Sequence, residues 1–173
     1  MTTISVHTPV VPVEIPLQDT RDFPQISHEE MATLIHSIKW VHKPGKNDQN
    51  FETKHLGFTL QDKSIGVHFG NCAPLQENVT DEQIKASHPE CKLPARKMLR
   101  TFRNDYNIGD TILIGQGRDK CLYVAEISST YYFHPMEDED ICHHRRRICN
   151  IRRVPDGFCR RPLIQTLSAY EPL

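Results

Sequence analysis

Apolar positions recur at helical intervals in only a few short stretches of the chain. Met31, Leu34, Ile35 and Ile38 follow Ser27-His-Glu-Glu30, which has capping-box spacing, and predict a helix ending near Trp40. Thr80-Asp-Glu-Gln83 opens a second, shorter helix. Pro94 suits the first turn of a third, where a missing N–H does no harm. On that helix the spacing turns Met98, Leu99 and Phe102 inward. It places Arg96, Arg100 and Arg103 on a neighbouring face. Elsewhere the pattern is that of strands. His55–Leu60 and Ser64–Phe69 predict a hairpin turning at Gln61-Asp62-Lys63. Thr111–Gly115, Cys121–Ser129 and Arg145–Val154 predict three more strands, with turns at Asn107–Asp110 and Gln116–Lys120. An aromatic-then-acidic loop spans Tyr131–Asp140, and a closing helix spans Arg161–Tyr170. Strict alternation through Arg145–Val154 leaves neither face apolar, so a bulge is expected near Asn150. Short helices between strands of mixed separation imply an α+β fold around a curved mixed sheet or small open β-barrel.

Prolines at 9, 12, 16 and 24 make residues 1–25 an extended arm, and residues 26–173 read as a single domain. A chain of 173 residues can bury a core without staples. No apolar run approaches the roughly 20 residues of a membrane span, and no secretory pattern opens the sequence. A soluble, intracellular protein is therefore expected, with its 6 cysteines reduced.

The formal net charge of −1 argues against a globally basic nucleic-acid binder, but it averages over unlike segments. Lys92, Arg96, Lys97, Arg100 and Arg103 lie in one stretch that holds no acid. A second stretch carries Arg145, Arg146, Arg147, Arg152, Arg153, Arg160 and Arg161 against Asp156 alone. Local positive faces of this kind matter for phosphate contact. The acidic run Glu137–Asp140 precedes the second stretch and can pair with it or shield it. Cys142, His143, His144 and Cys149 lack the paired spacing of a closed zinc site, and buried cysteines are the simpler reading. No metal, no cofactor and no catalytic group is expected.

Four segments carry a resemblance, and the first of them, Ser64-Ile-Gly-Val-His-Phe-Gly70, is similar to the aromatic-bearing strand beside the base pocket in EVE and YTH domains. PARKMLRTFRNDYNIGDTILI resembles the EVE pattern of a basic helix, then Val/Ile-Gly-Asp, then an apolar strand. LYVAEISSTYYFHP resembles the next strand with its aromatic-proline loop. HHRRRICNIRRV resembles the His-x-Arg-x-Val strand of the N-terminal modified-DNA readers of Mcr-type restriction systems. Together they resemble the PUA-like superfamily, in particular its EVE and YTH domains, across about two-thirds of the chain. The resemblance implies a non-catalytic module that takes a flipped, modified base into an aromatic pocket, with DNA favoured over RNA. Unstacking a base costs a few kcal/mol, and stacking on an aromatic side chain returns about 1–3 kcal/mol. YTH domains carry Trp where His68 or Phe69 stands here, and Trp40 lies outside the matched segment. The base pocket is accordingly expected from Phe69, His68, Asn71, Tyr131, Tyr132 and a repositioned Trp40. Arg96, Arg100, Arg103, Arg145 and Arg147 are the expected phosphate contacts, with His144 and Arg146 framing the pocket. Two alternatives stand beside this reading. One is an ASCH-type nuclease using Lys120, Tyr123, Glu126 and the histidines at 143–144. The other is a protein-interaction module that lost the pocket and binds a partner or a second copy through the N-terminal arm.

Overall fold

The computed structural model describes residues 23–42, 56–57, 59–67, 73–116, 120–134 and 143–158. The expected arm, Arg161–Tyr170 and the acidic run lie outside these, apart from the arm's last residues, 23–25. The fold is α+β, built on a curled, open, mixed sheet with a few short helices.

Helix α1 (His28–Leu34) begins at Ser27, whose hydroxyl accepts from the Glu30 N–H at 3.0 Å. It does not reach Trp40. A 3-10 turn at Ile35–Ser37 leads straight into strand β1 (Ile38–His42). The helical spacing is overridden by pairing: β1 runs parallel to β3 (Thr111–Gln116), with a register shift between Ile38 and Trp40. That shift lets Ile38 and Val41 pack on one side of the sheet and Trp40 on the other.

The expected hairpin is also absent. Residues 56–57 and 59–62 are helical, and β2 (Ser64–Val67) pairs antiparallel with the distant β6 (His144–Arg153). The sheet order is β1-β3-β4-β6-β2, with β4 spanning Lys120–Ile127. A short β5 (Tyr132–Phe133) inside the expected loop pairs with His144 and Arg145 of β6. Strand β6 works in two halves. His144–Arg147 meet β2, whereas Ile148, Cys149, Arg152 and Arg153 meet β4. Between those β4 partners, Val124 and Glu126 are two apart but face Arg152 and Cys149, which are three apart. The extra residue is a bulge, and Asn150 carries it at φ 50°, a left-handed conformation that Asn tolerates better than most.

Alternation along β3 and β4 fills both faces. Ile112, Ile114, Tyr123, Ala125 and Ile127 join the main core, while Leu113 and Val124 join a smaller one under α1 with Met31 and Val154. Two helices cover the main core. Helix α2 (Asp81–Ser87) starts with a reciprocal capping box between Thr80 and Gln83 and buries Ile84. Helix α3 (Leu93–Asn104) buries Leu99 and Phe102. Met98, expected inside, is 49% exposed.

Candidate functional site

The polar and aromatic side chains that resemblance and charge single out gather where the C-terminal end of α3 meets β6 and β5. The Asn107-Ile-Gly-Asp110 turn anchors one side. Asp110 accepts from the Trp40 indole N–H at 2.8 Å, from Lys39 at 3.2 Å and from the Asn107 N–H at 2.9 Å. Burial alone would push the Asp110 carboxyl up. The hydrogen bonds from Trp40, Asn107 and Lys39, with the charge of Lys39, outweigh it and hold the group below its ordinary range. Trp40 stacks on Tyr106 with ring centroids 4.4 Å apart, and Lys39 lies over its ring. Trp40 is thus a bracing residue in this structure. Burial, together with Asp110, pushes the Tyr106 hydroxyl up to about 12 against the opposing charge of Arg146.

Arg146 forms the centre. It is 4% exposed, and its guanidinium donates to the carbonyls of Phe102 at 2.9 Å and Arg103 at 2.9 Å. These are last-turn carbonyls of α3, which have no helical partner and form the negative end of the helix dipole. The same guanidinium lies over the rings of Phe102 and Tyr106. Burial and the neighbouring Arg103 charge lower its pKa. Arg146 therefore ties β6 to α3.

Arg103 and Tyr131 close a small ring through Leu75. The Leu75 N–H donates to the Tyr131 hydroxyl oxygen at 3.0 Å, and the Leu75 carbonyl accepts from Arg103 Nε at 3.0 Å. This sets the Arg103 guanidinium over the Tyr131 ring, 4.7 Å from its centroid. Tyr131 also meets His144 Nδ1 at 2.7 Å and stacks on that ring. His144 is wholly buried, with Phe133 against it edge-on and His88 at 6.1 Å between centroids. His88 is buried as well. Ser87 Oγ lies 2.6 Å from His88 Nδ1 and within hydrogen-bond reach of the Gln83 and Ile84 carbonyls at 3.0 and 3.3 Å. His88 Nε2 is buried and without a partner among the described residues. One register position along the sheet, Arg147 is exposed and lies over Tyr132, 5.7 Å from the ring centroid.

The expected phosphate contacts are placed unequally. Arg145 is 2% exposed and its guanidinium meets Asp62 at 3.3 Å, an internal pairing rather than a rim position. Arg100 is partly exposed and paired with Asp81 at 3.0 Å, and Arg96 is partly buried with its Nε unpartnered. Arg103 and Arg147 are the two poised over tyrosines. Phe69, His68 and Asn71 lie outside the described residues. The groups named for a nuclease are spread out. Tyr123 packs edge-on against Phe23 in the core, while Glu126, of opposite parity on β4, accepts from Asn150. Among the described residues no group of three or more His, Cys, Asp or Glu side chains could hold a metal ion. Nor does any described helix have the length and apolarity to cross a membrane.

Leu75, His88, Tyr106 and Asp110 were not anticipated as parts of this cluster. Leu75 contributes only backbone groups, which carry no residue signal. Asp110 was visible as a turn residue and Tyr106 as its neighbour, but neither had an apparent partner before β1 was placed beside β3.

The fold and site define a small α+β protein with a cation- and aromatic-rich cluster at one end of a curled sheet. The chain belongs to the family described as "Domain of unknown function (DUF8426)", whose family model matches residues 40–150. That span contains the last three residues of β1, all of β2 to β5, both core-covering helices and the half of β6 that carries the cluster. Neither the curated proteins nor the solved structures gave a match to the chain.

Proposed function

We propose that this protein is a non-catalytic nucleic-acid-binding module on a PUA-like fold of EVE/YTH type. It receives a flipped, modified base at the end of the sheet where β2, β5 and β6 meet, with DNA favoured over RNA. The observation that carries the reading is the pair of guanidinium–tyrosine stacks, Arg103 over Tyr131 and Arg147 over Tyr132. Other arginines nearby are turned to protein partners: Arg145 to Asp62, Arg146 to the end of α3, Arg152 to Glu30 and Arg153 to the Phe23 carbonyl. Two cations held in place without carboxylate partners among the described residues suit a polyanion, and the exposed Lys92 and Lys97, at the N-cap of α3 and on it, extend the positive face. The stacked aromatics brace those cations. Fluorescence anisotropy with labelled DNA and RNA, each with and without a modified base, tests this. Binding that weakens steeply with salt and favours the modified DNA supports it, and no binding to any of the four at low salt refutes it.

A protein-interaction module has one observation in its favour. Leu93 and Met98 are 48% and 49% exposed on the same helix. In that case Leu93→Ser with Met98→Ser abolishes capture of the protein partner, and the wild type binds none of the four oligonucleotides.

A further inference from the structure

We propose that Arg103 is a preorganised two-pronged receptor for a single backbone phosphodiester, rather than one of several interchangeable surface charges. The inference rests on the nucleic-acid reading above and sharpens it to one residue and one ligand group.

Two contacts fix the guanidinium, and a third fixes its backbone, before any ligand arrives. Its Nε donates to the Leu75 carbonyl at 3.0 Å, its plane lies over Tyr131, and its own backbone carbonyl is held by Arg146. With Nε used inside the protein, the two terminal nitrogens remain as a fork. No protein group among the described residues engages them in a hydrogen bond or ion pair, and the residue is partly exposed. A guanidinium fork matches two non-bridging phosphate oxygens through parallel N–H···O bonds, which an ammonium cannot reproduce. The local charge is also unbalanced. Arg146 lies close enough for the two cations to disfavour each other, and Arg103 has no carboxylate contact among the described residues. An arriving anion relieves that repulsion. Arg100, one turn earlier on α3, differs in this respect because Asp81 neutralises it.

Arg103→Lys and Arg103→Gln separate geometry from charge. Binding of a labelled single-stranded oligonucleotide is measured by anisotropy over a salt series, with thermal melting to confirm folding. Lysine is expected to weaken binding about tenfold, the loss of one charge-assisted hydrogen bond, while keeping the wild-type salt slope. Glutamine is expected to weaken it further and reduce the slope by about 0.7. A second measurement needs no variant: methylphosphonates are placed one at a time along the oligonucleotide and titrated against wild-type protein. One position with about a tenfold loss supports a receptor for a single phosphate. Lysine binding as well as arginine, or losses spread evenly over all positions, overturns the proposal and leaves the broader reading standing. If the wild type binds none of the oligonucleotides, the broader reading itself has failed.

Discussion

At the scale of single residues, the cluster rests on groups whose partners are backbone atoms. Arg146 neutralises no carboxylate in the described contacts; it satisfies the end of a helix. Replacing it with Met keeps much of the stem's packing but strands the Phe102 and Arg103 carbonyls under the β6 strand. A loss of about 2–4 kcal/mol is expected from urea unfolding, and a loss below about 0.5 kcal/mol would contradict the bracing role. Asp110 gives a pH-dependent prediction. Its carboxyl is held below its ordinary range, so the folded state favours the ionised form. That contribution is fully present above the unfolded value of about 3.9, and it fades as pH falls through the lower folded value. Asp110→Asn should therefore flatten the acid limb of the stability–pH curve while lowering stability near neutrality. An unchanged acid limb would mean that the Trp40 and Lys39 contacts contribute nothing in solution.

At the scale of elements, the bulge in β6 and the cap of α2 are the clearest sites to test. Asn150 sits at φ 50°, so Asn150→Gly should be tolerated. Asn150→Val should cost about 1–2 kcal/mol by thermal unfolding, and equal stability of the two variants would contradict the left-handed bulge. Thr80→Ala removes the acceptor for the Gln83 N–H and should cost about 1 kcal/mol. The bulge was legible in the sequence because no strict alternation through ICNIRRV gives an apolar face. The cap and the Pro94 helix were legible because their signals are local. Strand β1 was not. Ile38-Lys-Trp-Val fits a helical spacing as well as a strand, and only pairing with β3, more than seventy residues away, decides between them. The supposed hairpin failed for a related reason. Ser64–Val67 is a strand, but its partner is His144–Arg147 rather than the adjacent segment, and residues 59–62 turn helical before it.

At the scale of the molecule, β6 joins what the sequence keeps apart. Its first half carries the cluster, and its second half, which pairs with β4, carries the bulge at Asn150. The two basic stretches were visible as composition. Their unequal fates were not, because Arg145, Arg146 and Arg147 look alike until β2, β5 and α3 are packed around them. One is paired with Asp62, one caps a helix, and one remains exposed over a tyrosine. The chain's near-neutral charge is thus compatible with a small positive site, since most of the surrounding arginines are already engaged.

The central claim is that two tyrosine-mounted arginines form a nucleic-acid contact surface. It is tested most directly by the salt dependence of oligonucleotide binding for the wild type and for Arg103→Gln/Arg147→Gln. The wild type should bind duplex DNA at low salt with a linear log–log decline. The double variant, folded by its thermal transition, should bind more weakly, with a slope shallower by about 1.8. Equal slopes for the two proteins, or no binding by the wild type at low salt, would contradict it.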